Sequence, residues 1–199
     1  MPVDVDPARR RREVAEAAAR LIAGSGIGAV TFRNLAAALK CSTTGISHYF
    51  PNRKAILIET YRFVVDRALR RRTPPPDADT RTVLASLDPI LPLDQAGFDD
   101  WILWFCFWVE ALFDPELAGV QRHYSRATRQ MIERMLRDLG CRSSDAQAFS
   151  QKIMTALYGI AVQAAFDRET WTPEAQRTAL HEVISPLLPR LGASGKAIS

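Results

Sequence analysis

The amino-acid sequence predicts an all-α protein: an N-terminal three-helix helix-turn-helix unit followed by a C-terminal helical bundle. Three observations carry that expectation. Apolar residues recur every three or four positions along nearly the whole chain, as in helices with one buried face, and no run alternates with the two-residue period of a strand. Helix-start signals recur at Asp6-Pro7, Thr31, Ser42, Asp114-Pro115 and Thr172-Pro173. Charge is partitioned as well: residues 1–72 hold 14 Lys/Arg against 6 Asp/Glu, a net +8, and the rest hold 12 against 16, a net −4.

Each element follows from its own residues. Asp6 caps the first helix and Pro7 takes its first position; Val14, Ala17, Ala18, Leu21 and Ile22 form one apolar stripe, and Gly24, Gly26 and Gly28 end it. Thr31 caps a second helix, Phe32 to Leu39, with Leu35, Ala36 and Leu39 inward. Lys40-Cys41 is the turn, and Ser42 caps a third helix running to Tyr49. Pro51-Asn52 stops that helix and starts a fourth, with Ile56, Leu57, Tyr61, Val64 and Val65 inward and Arg67 to Arg72 at its negative end. Thr73 to Asp79 (TPPPDAD) admits no regular helix, so it is the expected boundary between a domain at 8–68 and another at 80–192. Helices are then expected over Thr80 to Leu91, over Gln95 to Phe113, and from the Asp114-Pro115-Glu116 cap toward Leu139. Ser144 with Gln147 reads as a capping box ahead of a helix to Asp167, and a last helix runs from Pro173 to Leu191, bent or frayed by Pro186 and Pro189.

Composition narrows the function classes. With 47% hydrophobic residues the chain is able to bury a core. It has no uninterrupted apolar stretch of the ~18 residues a membrane helix needs, and its first residues lack the apolar centre of a signal peptide, so a cytoplasmic protein with no membrane association is expected. Cys41, Cys106 and Cys141 are odd in number and far apart, which fits neither a disulfide framework nor a zinc site. Three histidines, His48, His123 and His181, with no phosphate-cradling glycine loop and no nucleophile beside a base, argue against an enzyme; no cofactor or metal is expected.

Two short helices joined by a tight turn between Leu39 and Ser42, inside a basic unit, have the dimensions of a helix-turn-helix. Clustered Lys and Arg favour DNA because each neutralised phosphate releases counterions. Phe32-Arg33-Asn34-Leu35-Ala36, followed by Ser42-Thr43-Thr44-Gly45-Ile46-Ser47-His48-Tyr49-Phe50-Pro51-Asn52-Arg53-Lys54, resembles the TetR family of repressors over roughly residues 8–68. Ser47-His48-Tyr49-Phe50 is most similar to the subgroup of choline-responsive repressors of betaine synthesis. The sequence departs from the family at Thr44, where glycine is usual and arrives one residue later at Gly45, and at Ser47, which stands where many members have tyrosine.

Position assigns the expected DNA contacts. Thr43, Thr44, Gly45 and Ser47 lie on the groove-facing start of the third helix, where short side chains allow close approach and hydroxyls donate to bases or phosphates. Thr31 and Ser42 would present helix N-termini to phosphates, Arg33 and Lys54 would clamp phosphates, and Arg9 to Arg12 would form an arm. His48 and Tyr49 each divide between DNA contact and local packing, whereas Leu35, Ala36, Ile46 and Phe50 are core.

In the C-terminal part, Trp101, Trp104, Phe105 and Trp108 share one helix face, as plain core or as the wall of a pocket. Glu110 among them is a counter-charge or a solvent-facing acid. The resemblance extends through Trp104 to Leu117 and Ile153 to Asp167, and implies a small-molecule effector, a choline-like cation held by cation–π attraction being one candidate. Tyr124, Tyr158, Phe166 and Trp171 are further lining candidates, for each of which a structural role is the favoured alternative. A two-half-site operator demands a two-fold protein. The expected homodimer face is Met154, Leu157, Tyr158, Ala161, Val162 and Ala165 with Val183, Ile184, Leu187, Leu188 and Leu191, with intramolecular burial as the alternative. The resemblance thus implies a ligand-responsive repressor of double-stranded operator DNA; an activator of the same fold and a helical interaction module remain open.

Overall fold

The computed structural model describes residues 6–71 and 87–187, and every regular element among them is helical. These are α1 (Pro7–Ser25), α2 (Phe32–Ala38), α3 (Thr44–Ser47), α4 (Arg53–Arg71), α5 (Gln95–Ala111), α6 (Pro115–Asp138), α7 (Ser143–Phe166) and α8 (Pro173–Ile184), with 3-10 turns at Ile27–Ala29, Asp88–Ile90 and Ser185–Leu187. The proline-rich segment at 73–79, residues 80–86 of the expected helix at 80–91, and the last helix beyond residue 187 lie outside the described residues. Described residues within Met1–Ala68 and Asp99–Gln121 form one compact unit, and those within Leu69–Phe98 and Arg122–Ser199 form a second.

In the first unit the start signals act as the sequence proposes. Asp6 Oδ1 accepts the Ala8 N–H at 3.0 Å, Thr31 Oγ1 accepts the Asn34 N–H at 3.1 Å, and Asn52 Oδ1 accepts the Ala55 N–H at 2.9 Å. Gly26, at φ +75°, closes α1 by donating to the Ile22 carbonyl at 2.8 Å. Lys40 closes α2 in the left-handed region at φ +51°: its N–H bonds Ala37 at 3.3 Å and the next N–H, of Cys41, bonds Ala36 at 3.0 Å. Gly140 makes the same closure after α6. A lysine therefore holds a conformation that glycine reaches without steric cost.

α3 is a single turn, ending at Ser47 where the sequence suggests Tyr49; His48 and Tyr49 form a turn. Pro51 disfavours helical geometry in the residue before it, which shortens the element from its C-terminal side. Val14, Ala18, Leu35, Ile46, Phe50 and Val64 are at 0% exposure, and Ile56 and Leu57 are also buried; they belong to the core of this unit.

Residues 99–121 belong to this same unit. The Tyr61 ring stacks on Phe107 at 4.0 Å, Trp108 Nε1 donates to the Tyr61 hydroxyl at 3.4 Å, and that hydroxyl donates to Gln121 Oε1. α5 ends at Ala111, two residues short of the expected Phe113, leaving Leu112 and Phe113 exposed in a turn. Asp114 begins α6 as expected, accepting the N–H groups of Glu116 and Leu117 at 2.9 and 3.2 Å.

In the second unit α7 packs against α8. The expected Ser144/Gln147 capping box does not form. α7 starts two residues earlier, with Arg142 in place of Ser144 as the N-cap, which moves Ser144 inside the first turn, and Arg142 forks onto Asp145 at 3.0 and 2.8 Å. Thr172 caps α8 through the Ala175 N–H at 3.2 Å. The segment before α5 and the first turn of α5 are held on the α7–α8 connection and the start of α8. Buried Gln176 donates to the Pro92 and Trp171 carbonyls at 3.3 and 2.9 Å, Arg177 pairs with Asp88 at 2.9 Å, and the Arg168 guanidinium lies 3.4 Å from the Phe98 ring centre. Met154, Leu157, Ala161 and Ile184, expected at a dimer face, are buried within the chain itself, while Val162, Val183 and Phe166 stay exposed. All three cysteines are free thiols, and burial pushes the Cys141 thiol up.

Candidate nucleic-acid interface

α3 is amphipathic over one turn. Ile46 and Phe50 are fully buried on one side, while Ser42, Thr43, Thr44, Ser47 and His48 are exposed on the other, with Gly45 and Tyr49 half-buried between them. Ser42 Oγ accepts the Gly45 N–H at 3.1 Å, so its lone pair fixes the start of the helix while its proton stays available to donate. Ser47 Oγ donates to the Thr44 carbonyl at 3.2 Å. The His48 and Tyr49 rings meet edge to face at 5.0 Å, which orients both at the end of the turn. Thr31 and Arg33 are exposed at the start of α2.

The basic residues divide by partner. Arg9 and Arg10 both pair with Glu13, at 3.0 and 2.9 Å, and Arg12 pairs with Glu16 at 3.3 Å, all on α1. The expected arm is therefore the first turns of α1, where three of its four arginines pair with Glu13 and Glu16 on the same helix. Hydrogen bonding to Arg10 and Arg9 holds the Glu13 carboxyl below its usual range. Lys54, expected at a phosphate, is held by Asp114 at 2.7 Å and Glu116 at 3.3 Å. Those bonds raise the Lys54 ammonium above its ordinary value, and the bond from Lys54 lowers the Asp114 carboxyl. Both shifts favour the ionised pair, so the bridge holds at neutral pH and is lost as pH falls through the lowered range of Asp114.

Sequence reasoning passed over Arg53. Its guanidinium donates to the carbonyls of Val30 at 3.1 Å and Ile27 at 2.8 Å, and reaches Glu110 at 3.4 Å. Glu110, expected as a counter-charge or a solvent-facing acid, thus faces an arginine. Farther along α4, Arg67 bonds Asp100, a carboxylate almost wholly buried. Arg53 with Glu110, Tyr61 with Phe107 and Arg67 with Asp100 form a ladder along α4, and the pairing order shows that α5 runs antiparallel to it.

The aromatic candidates are split. Trp101 is 1% exposed and lies within 6 Å of three rings: Trp104 at 4.9 Å, Phe105 at 5.3 Å and Trp108 at 5.8 Å. Trp104 is buried too, whereas Phe105 and Trp108 are half-buried. Tyr124, Tyr158 and Phe166 belong to the second unit, where both tyrosines are half-buried and Phe166 is 88% exposed, no pocket wall in a single chain.

Among the described residues no helix is long and apolar enough to cross a membrane. Comparison with known proteins agrees with the geometry. Residues 14–60 match the family described as bacterial regulatory proteins, tetR family, and residues 79–189 match the BetI-type transcriptional repressor C-terminal family. The chain is 23% identical to the HTH-type transcriptional regulator PksA of Bacillus subtilis, over 84% of each chain. It is 28% identical to the HTH-type transcriptional regulator BetI of Burkholderia mallei over 59% of this chain and 62% of that one, so the match spans just under two thirds of that relative. A transcriptional regulator from Rhodococcus sp. Rha1 superposes with a TM-score of 0.81 at 24% identity, covering 90% of this chain and 96% of that one. A putative transcriptional regulator from Saccharomonospora viridis, solved in complex with choline, superposes with a TM-score of 0.78 at 26% identity, covering 89% and 96%. The exposed one-turn helix thus sits in a known setting: the chain belongs to the TetR family of transcriptional regulators and carries a BetI-type C-terminal domain.

Proposed function

We propose that this regulator represses transcription in the cytoplasm by binding a palindromic double-stranded operator as a homodimer, and leaves it when a small organic molecule binds. Residues 8–68 serve as the DNA-binding domain and 80–192 as the effector and dimerisation domain. The observation that carries the reading is the polar, exposed face of α3 on a fully buried apolar base. Thr43, Thr44, Gly45, Ser47 and His48 then read base edges or adjacent phosphates, and Thr31, Arg33, Ser42 and Tyr49 fix the register. The exposed apolar residues Val162, Phe166 and Val183 are the core of the dimer face.

α4 carries the response. Its Arg53, Lys54, Tyr61 and Arg67 grip residues 99–121, and its first turn adjoins α3 in sequence. A ligand that distinguishes two positions of 99–121 thereby biases α4 and the base of α3, and two recognition helices displaced from the ~34–36 Å repeat of successive major grooves cannot both engage. Choline is the first effector to assay, because a similar regulator was solved with it and because half-buried Phe105 and Trp108 offer aromatic faces to an organic cation.

The test starts by letting the purified protein select duplexes from a random pool. The selected duplex should carry two inverted half-sites, bind with a steep salt dependence, and bind more weakly with choline present. Salt-insensitive, sequence-independent binding would sink the repressor reading, and unchanged affinity with choline would remove choline as the effector.

Substitutions separate the cations on the same duplex. Arg33→Ala is expected to lower the slope of log K against log salt by about one unit. Lys54→Ala is expected to leave the slope unchanged, since its charge is already matched by Asp114 and Glu116. A fall of one unit for Lys54→Ala would place that ammonium at a phosphate.

A further inference from the structure

Arg11 stands apart from its neighbours in the basic run. Its Nη1 donates to the Tyr49 carbonyl at 3.0 Å, its Nη2 pairs with Glu59 at 3.0 Å, and its guanidinium carbon lies 4.7 Å from the centre of the buried Phe50 ring. One planar group therefore ties α1 to the residues that end α3 and to α4. The Tyr49 carbonyl lies just past a one-turn helix, and such terminal carbonyls have no partner within their own helix. A rigid five-donor fork suits this position: two of its edges are bonded in fixed directions while its face covers an aromatic ring. Lysine, a point charge without a plane, reproduces none of the three contacts together.

We infer that Arg11 is a positioning residue for DNA reading: it touches no base or phosphate, and it fixes the angle at which Ser47, His48 and Tyr49 leave the unit. The inference rests on α3 being the reading element, a single turn held at several points. Its start is set by Ser42 through the Gly45 N–H at 3.1 Å, and its centre by buried Ile46. Past its end Phe50 is buried, and the Arg11 bond adds a directional link from α1 to the Tyr49 carbonyl. Glu59 shares the task indirectly, since its carboxylate orients the guanidinium.

The experiment measures Arg11→Lys, Arg11→Gln and Glu59→Gln on the duplex selected by the wild-type protein, at a temperature where circular dichroism shows each variant folded. Each Arg11 variant should lose at least about tenfold in affinity, the loss expected of one charge-assisted hydrogen bond, with the salt slope at its wild-type value. Affinity for an unselected duplex of equal length should change little, so the specificity ratio falls; a purely stabilising role would leave that ratio intact in folded protein. Glu59→Gln should lose affinity in the same direction by a smaller factor, and combined with Arg11→Gln it should add little, because both remove one arrangement. Unchanged affinity of folded Arg11→Gln, or a slope reduced by about one unit, would overturn the inference. Should Arg11→Gln not fold, Arg11→Lys and Glu59→Gln decide, and wild-type affinity in both would overturn it. A wild-type protein that selects no duplex would instead sink the DNA-reading assignment of α3.

Discussion

Phe50→Ala is expected to destabilise the protein by about 3–5 kcal/mol, the range for truncating a fully buried aromatic ring. Phe50 is 0% exposed, it lies directly beyond α3, and its ring carries the Arg11 guanidinium. Truncation opens a cavity under the recognition element and removes the surface that Arg11 covers. A typical domain has only about 5–15 kcal/mol in total, so the loss is a large fraction of the whole. At 199 residues, about 2–4 °C per kcal/mol translates it into a melting midpoint lower by roughly 6–20 °C. Denaturant unfolding followed by circular dichroism measures it, with Ser47→Ala as the exposed control expected within about 0.5 kcal/mol of wild type. A Phe50→Ala midpoint within about 2 °C of wild type would mean that the ring is no part of a close-packed core.

What was legible in the sequence follows the range of the interactions involved. Asp6, Thr31, Asn52, Asp114 and Thr172 are start signals that act on N–H groups two or three residues away, and each makes the bond its position suggests. The failures are local conflicts that pattern alone does not rank. Ser144 and Gln147 have capping-box spacing, yet Arg142 and Asp145 satisfy each other and α7 begins at Ser143. α3 stops early because Pro51 acts backward on Phe50.

Long-range pairing was the illegible part. Nothing in the run Arg9 to Arg12 says that Arg11 alone crosses to Tyr49 and Glu59, 38 and 48 residues away. Helical period is a partial clue: Arg11 is three residues before Val14 and four before Ala15, both buried, so it borders the inward face. Lys54 and Arg53 are adjacent cations, and only the fold shows that one meets Asp114 and the other the Val30 carbonyl. The proline run at 73–79 reads as a boundary in the sequence, whereas residues 99–121, well beyond it, pack in the same compact unit as residues 6–68. Periodicity identifies which face of a helix is apolar and is silent about which neighbour covers it.

Trp101→Ala separates the two readings of the aromatic helix that the sequence leaves open. If Trp101 is core, its removal from a site at 1% exposure should destabilise the protein by about 3–5 kcal/mol with no effector present. Part of that loss is specific to rings: the edge-to-face contacts with Trp104 and Trp108, at 74° and 85°, each contribute about 0.5–1.5 kcal/mol beyond buried area. Phe105→Ala, on the half-buried side of the same cluster, should destabilise less and change the response to an effector more. The pattern has a physical basis, because a ring enclosed by three others has no face to offer a ligand, whereas its half-covered neighbours do. Thermal unfolding and effector titration on the same two variants supply both readouts. A Trp101→Ala protein that keeps its stability within about 1 kcal/mol and loses only the effector response would move Trp101 from the core to the wall of a binding pocket.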